Sequence, residues 1–223
     1  MPSTLTSPIV ASLLQRLFSE EDLQHEQLVE RSREYREPVV ASQVSSADFK
    51  DMYLAVDSQV GTLLYSLVRS TRATTVVEFG TSFGLSSIYL ASALQDNGGG
   101  AVITSEIERE KVEAAQANFA AAGLSDLIEV RIGNVLDTFK ELPNDIDLAF
   151  LDGWPDLYLQ VLKLIEPHLR KGALVIADYL PPESFIDSTE LKPYREYVTD
   201  PENGYIAVDL AIGDTISIAL RSD

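Results

Sequence analysis

Hydrophobic and polar positions follow two periods along this chain, and the changes from one to the other mark its elements. From Pro8 to Phe18 the apolar residues Ile9, Leu13, Leu14 and Leu17 form a helical stripe. Glu20 to Arg36 predicts a second helix, acidic at its start (Glu20, Glu21, Asp22) and basic at its end (Arg31, Arg33, Arg36), as the helix dipole favours. Pro38 stops it. A third helical stretch is predicted around Ser46 to Leu54. A fourth runs from about Ser58 to Arg69, with Val60, Leu63, Leu64 and Leu67 on one face. Then the period changes: Thr75-Val76-Val77-Glu78-Phe79 is a β-branched apolar run of the kind buried on both faces of a parallel sheet. It ends in the glycine-spaced turn Gly80-Thr81-Ser82-Phe83-Gly84, and a helix resumes through Ile88 and Leu94.

The alternation of strand and helix then continues regularly. Strands are predicted at Ala101 to Ser105, Ile128 to Ile132, Ile146 to Leu151 and Ala173 to Ala177. Between them fall helices at Glu108 to Ala122 (stopped by Gly123), Asn134 to Leu142 (closed by Pro143) and Asp156 to Leu169. Strands alternating with helices predict a parallel sheet with helices on both faces and right-handed crossovers. The tail differs. Tyr205 to Leu210 and Thr215 to Leu220, separated by Ala211-Ile212-Gly213-Asp214, predict an antiparallel pair at the sheet's edge. No segment repeats and no low-complexity linker divides the chain, so the 223 residues predict one domain, 1–55 a helical extension and 56–223 the α/β core.

Composition narrows the function. Seventeen basic residues against 35 acidic ones give a net charge of −18, a field that repels polyphosphate and argues against nucleic acid or an anionic membrane as main partner. With no cysteine there is no disulfide framework, thiol nucleophile or zinc–thiolate site. No apolar run approaches the roughly 20 residues of a membrane helix, and the N-terminus lacks the pattern of a signal peptide. A cytoplasmic enzyme or binding protein is expected.

The candidate chemistry sits where strands end, because ligands of open α/β sheets lie beyond the carboxyl ends of the strands. Gly80 and Gly84 let backbone approach a ligand, and the next helix offers free N–H groups to the same crevice. The spacing is neither that of a dinucleotide fingerprint nor that of a P-loop. Acids close three strands: Glu106, Asp152 and Asp178. Glu106 stands where a carboxylate takes ribose hydroxyls, although it could also be a solvated helix-start acid. Glu78 is read equally as a ligand-binding group or as an acid that orders the loop. Asp152 and Asp178, on strands expected to neighbour, repel each other unless a cation, a proton or a positively charged ligand intervenes; Asp152 could also cap the helix opening at Pro155.

These segments, Glu78 to Gly84, Thr104-Ser105-Glu106, Phe150 to Trp154 and Ile176-Ala177-Asp178, resemble the S-adenosylmethionine-dependent O-methyltransferases of the catechol and caffeoyl-CoA type, and Leu210 to Asp214 resembles their closing hairpin. The resemblance runs from about Gly61 to the C-terminus. It implies a Rossmann-like class I methyltransferase fold: a mostly parallel seven-stranded α/β sheet, an antiparallel C-terminal hairpin, helices on both faces and a helical N-terminal extension. It also implies that Glu78, Gly80, Thr81 and Ser86, with Val56 upstream, line the methionine end of S-adenosylmethionine. Glu106 would hold the ribose, Asn134 and Val135 border the adenine, and Trp154 wall it. Asp152 would sit beside the sulfonium and, with Asp178, bind a divalent metal such as Mg²⁺. The acceptor would be a hydroxyl of a small phenolic or specialised metabolite, and the assembly a homodimer.

Two positions depart from the family pattern. Tyr179 replaces the Asn that supplies a neutral oxygen to the metal, and Pro155 replaces a Lys near the hydroxyl being methylated. Neither can do its predecessor's job, so metal binding is weakened rather than excluded and a side-chain base is needed. Asp152, Asp178, Tyr179 and His25 are the candidates; His25 reads first as a surface residue, and His168 as structural. Two other readings stay open: a methyltransferase acting on nitrogen or RNA, and a cofactor-binding protein that has lost catalysis. The acceptor pocket is expected between the N-terminal helices and the loop Leu180 to Phe185.

Overall fold

The computed structural model describes residues 3–34, 46–179, 188–213 and 215–222. A long helix, α1 (Pro8–Glu34), is followed by a 3-10 turn at Ser46–Phe49 and by α2 (Ser58–Thr71). Next come β1 (Thr75–Phe79), α3 (Leu85–Asn97), β2 (Ala101–Glu106), α4 (Arg109–Ala122), β3 (Ile128–Ile132), the short α5 (Val135–Thr138) and β4 (Ile146–Leu151). α6 (Tyr158–Ile165), β5 (Leu169–Tyr179), α7 (Ser188–Thr199), β6 (Tyr205–Leu210) and β7 (Thr215–Arg221) complete the order.

The seven strands form one sheet in the order β3-β2-β1-β4-β5-β7-β6. The first five are parallel, and β7 runs antiparallel to both β5 and β6. After β3 the chain returns to the middle to place β4 beside β1, so connections leave these two strands toward opposite sides and a crevice opens above their ends.

Alternation along the central strands builds two cores. Val76, Leu148, Phe150 and Ile176 face the layer of α1, α2, α3 and α4. Val77, Ala149, Leu151, Val175 and Ala177 face the layer of α5, α6 and α7. α1 belongs to the first core through Leu13, Leu14 and Leu17, each worth about 1.5–3 kcal/mol of burial. Among the described residues no helix is long and apolar enough to cross a membrane.

Some boundaries differ from the sequence reading for identifiable reasons. The two expected N-terminal helices are one, because the acidic stretch at 19–22 holds no breaker and Glu20 pairs back to Arg16 at 2.7 Å. Arg36 and Pro38 lie outside the described residues, as do Leu180 to Phe185 and Asp214. The helix expected over 46–54 shrinks to one 3-10 turn, since the Tyr53 N–H donates to the Gln24 side chain rather than to a helix carbonyl. At 134–142 only α5 forms, capped by Asn134. Pro155 and Pro167 confine α6 between flanking 3-10 turns, and β5 extends well beyond its apolar centre. α7 was not expected at all. Pro193 within it obscures a stripe that buries Leu191, Tyr194 and Val198.

Candidate active site

Register sets the centre of the site. Phe79 pairs with Ser105 on one side and with Leu151 on the other, and Leu151 pairs with Ala177. The next residue on each strand therefore forms a row across four neighbours: Glu106, Gly80, Asp152 and Asp178. The Gly80 N–H donates to the Ser105 carbonyl at 3.1 Å, and the Asp152 N–H to the Phe79 carbonyl at 2.8 Å, which locks the row. Residues of one rank in a parallel sheet point to one face. The three acids of the row therefore point toward α1 and α2, and Gly80 lies two residues beyond Glu78 on the same strand.

Gly80 makes the row possible. Its φ is +100°, and a Cβ there would collide with the backbone carbonyl of Asp152. Ser82 follows with φ +46°, a strained value for a side-chain-bearing residue. Its N–H donates to Glu106 Oε2 at 2.8 Å, while Ile107 and Glu108 N–H groups donate to Oε1 at 2.9 and 3.0 Å. The Glu106 carboxylate is thereby fixed in orientation with lone pairs to spare.

A cleft of about 1090 Å³ lies over this row. Its floor includes Gly80, Glu106, Asp152 and Asp178, and one end is bordered by Asn134, Val135 and Trp154. A small recess beside Asp152 is lined by Val56, Thr81 and Ser86. Glu78 is fully buried below it. Ser87 Oγ–H donates to Glu78 Oε2, and Oε1 has no hydrogen-bond partner among the described residues. Burial pushes the Glu78 carboxyl up to about 7 against the pull of the hydroxyls of Ser87, Thr104 and Ser86. The Asp152 carboxyl is pushed well above its ordinary range, first by burial, then by the neighbouring charges of Asp178 and Glu78. A cation beside it would reverse that shift.

The ten residues expected around the cofactor therefore gather at the cleft, its recess or the buried layer beneath. Tyr179 does not. It stands one residue past Asp178, so its side chain crosses to the other face, where its ring meets Tyr194 at 6.3 Å and lies under Arg195. This corrects the expectation that Tyr179 is a base at the site. His25, read first as a surface residue, lines the cleft from α1. His168 lies elsewhere, its Nδ1 3.2 Å from Asn144 Oδ1, in a structural setting.

The metal expectation divides. Asp152 and Asp178 are adjacent, but the third donor faces away, and among the described residues no three His, Cys, Asp or Glu side chains group so as to hold a metal ion. The donors present do not make up the complete metal site of the resemblance.

Three lining residues escaped the sequence reading. Lys111 is buried beside Glu106, its Nζ 5.6 Å from the Phe83 ring centre. Burial pushes its ammonium down while Glu106, Glu108, Asp51 and Asp152 pull it up. It shares a helical face with Ala115, Asn118, Phe119 and Ala122, a lysine on an otherwise core-facing stripe that would have flagged it. Tyr158 donates its O–H to the Asp178 carbonyl at 2.8 Å and so supports the rim from below. Glu21 projects from α1 and left only the signature of an acidic helix start.

Comparison with known proteins agrees with this geometry. Residues 77–179 match a family profile described as a methyltransferase domain. A catechol O-methyltransferase of Mycobacterium tuberculosis (strain ATCC 25618 / H37Rv) is 31% identical over 144 residues, covering 64% of each chain. One from Mus musculus is 28% identical over 168 residues, covering 67% of this chain and 63% of its own. The chain thus spans just under two thirds of the length of these relatives. The O-methyltransferase TomG of Streptomyces achromogenes, solved with S-adenosylmethionine, superposes with a TM-score of 0.68 at 27% identity, covering 78% of this chain and 84% of that one. In strand order, closing hairpin and sequence the chain is similar to these O-methyltransferases, and residues 77–179 carry the methyltransferase domain match.

Proposed function

We propose that this protein transfers a methyl group from S-adenosylmethionine to a hydroxyl of a small phenolic or specialised-metabolite acceptor. The observation that carries the reading is the row Glu106-Gly80-Asp152-Asp178 on one face of the sheet, beneath a cleft at the switch point. Its chemistry suits that cofactor: among the described residues a buried carboxyl oxygen on Glu78 lacks a hydrogen-bond partner, and the Asp152 carboxyl is crowded by the charges of Asp178 and Glu78, opposed by that of Lys111. At about 1090 Å³ the cleft exceeds the roughly 300–1,000 Å³ of a typical single-ligand pocket, which leaves room for an acceptor. The cofactor, when bound, supplies an electrophilic methyl group on a positively charged sulfur.

The chain's own residues then divide the work. Glu106, held by three backbone N–H groups, presents fixed acceptor oxygens to the ribose hydroxyls. Asn134, Val135 and Trp154 border the adenine. Gly80, Thr81, Ser86 and Val56 line the methionine end with Glu78 buried beneath them, and Asp152 opposes the sulfonium with negative charge. Alignment and exclusion of water supply most of such an acceleration. The net charge of −18 supports a small molecule rather than nucleic acid as acceptor.

The 223 residues are proposed to act as one domain in the cytoplasm, with 1–55 as an extension whose Leu13, Leu14 and Leu17 share the main core. A homodimer is also proposed. One face of the β6–β7 hairpin carries Ile206, Val208, Leu210, Ile216, Ile218 and Leu220 with no charge, and Ile206, Val208 and Leu220 are exposed at the sheet's edge. In so acidic a chain, an uncharged patch is where two copies meet with least repulsion. The activity is tested by incubating the purified protein with S-adenosylmethionine and catechol, with EDTA or Mg²⁺, and measuring methyl ether and demethylated cofactor. Methylation that persists in EDTA is expected. Complete loss, restored by Mg²⁺, would show that two carboxylates suffice for an essential metal.

A further inference from the structure

We propose that Glu21, on the N-terminal helix, is the base that accepts the acceptor's hydroxyl proton during methyl transfer. The proposal rests on the methyltransferase reading above and names a residue that the strand-end motifs do not contain. Methylating a hydroxyl requires that its O–H bond break as the oxygen–carbon bond forms. The proton passes to the base, and the electron pair of the cleaved carbon–sulfur bond stays on sulfur. Of the groups that could take the proton, Tyr179 faces the opposite core and position 155 is a proline. Asp152 lies on the floor, where its charge is engaged by the sulfonium it opposes.

The facing wall offers an alternative. α1 lines the same cleft with Glu21, Asp22 and His25, and Asp57 joins them from the start of α2. The turn that carries Glu21 is pinned on both sides. Glu20 accepts from the Tyr53 hydroxyl at 2.5 Å and from Arg16 at 2.7 Å, and Arg16 also donates to Asn118 of α4 at 2.8 Å. Gln24 accepts the Tyr53 N–H at 3.0 Å. Glu21 itself has no hydrogen bond among the described residues, so its carboxylate is uncommitted, as a base must be, on a turn that its neighbours hold in place. Burial, then the charges of Asp22 and Asp57, push its carboxyl up to about 7. A base of that strength holds a transferred proton well yet stays substantially ionised at neutral pH. The titratable groups around it are Asp22 and His25 on its own helix, Tyr53 and Asp57 ahead of α2, and Glu106, Glu108, Lys111, Asp152 and Asp178 elsewhere in the cleft.

The test compares wild type, Glu21→Gln and Glu21→Asp on two probes: catechol, and a nitro-substituted catechol already ionised at the assay pH. Glu21→Gln should lower kcat/KM for catechol about a hundredfold or more. It should also abolish the rise of rate with pH through about 7. The ionised phenol, which needs no base, should be nearly unaffected; Glu21→Asp should recover part of the loss, and calorimetric affinity for S-adenosylmethionine should not change. Independently of turnover, carbon-13 NMR of glutamate-labelled protein should show a carboxyl that titrates near 7, is missing from Glu21→Gln and responds to added catechol. Equal losses on both phenols, or a Glu21 carboxyl titrating at the ordinary 4.5, would overturn the base while leaving the methyltransferase reading intact. No turnover of either phenol by wild type that binds the cofactor would overturn the acceptor assignment, and the base with it.

Discussion

Replacing Glu78 with glutamine should change how the stability of the ligand-free protein depends on pH. Glu78 is fully buried beneath the cleft, with one carboxyl oxygen bonded to Ser87 and the other without a partner among the described residues. Its proton affinity moves from the ordinary 4.5 to about 7 on folding, chiefly because burial disfavours the charged form. The folded chain therefore binds more protons than the unfolded chain between those two values, and stability falls as pH rises through that window. At about 1.4 kcal/mol per pH unit, ionising this group in the folded state costs about 3 kcal/mol, a large part of the roughly 5–15 kcal/mol that holds a domain together. The cost is absent below the unfolded value and complete above about 7. Glutamine cannot titrate. Urea denaturation of both proteins at several pH values isolates the effect, since other raised carboxyls such as Glu21 are common to both. The stability of wild type relative to Glu78→Gln should drop by about 3 kcal/mol from pH 4.5 to above pH 7. Parallel curves would refute the claim that a buried, under-bonded carboxylate sits below the cleft.

Two other perturbations probe the fold around the site. Gly80→Ala puts a Cβ against the Asp152 carbonyl at a φ of +100°, and should cost more than about 2 kcal/mol in thermal melting and weaken cofactor binding; an unchanged melting temperature would contradict the row geometry. Val208→Lys places a charge in the middle of the uncharged hairpin face, and sedimentation should show dimer converting to monomer; a wild type that is already monomeric would contradict that interface.

The strands and their order of alternation were legible because buried parallel strands are unbroken apolar runs, and β1, β3 and β4 begin and end where the pattern changes. The floor of the site was legible for the same reason: an acid directly after such a run, as at Asp152 and Glu106, has only one place to be. The helices were less so. Nothing local distinguishes a helix that continues through Ser19 to Asp22 from two that meet there, and Pro193 conceals α7. Which face Tyr179 takes depends on counting from Asp178 along a strand whose end was set two residues too early. The wall contributed by α1 could not be read, because it depends on how a distant helix docks, through Tyr53, Arg16 and Asn118.

A cofactor gripped by the row of strand ends is the centre of the proposed function. Isothermal titration calorimetry of S-adenosylmethionine into wild type and Glu106→Ala tests this directly. One cofactor per chain for wild type, with affinity at least about tenfold weaker in the variant for loss of roughly 1.4 kcal/mol or more of hydrogen bonding, is the predicted result. No binding by wild type, or equal affinity in both proteins, would contradict it.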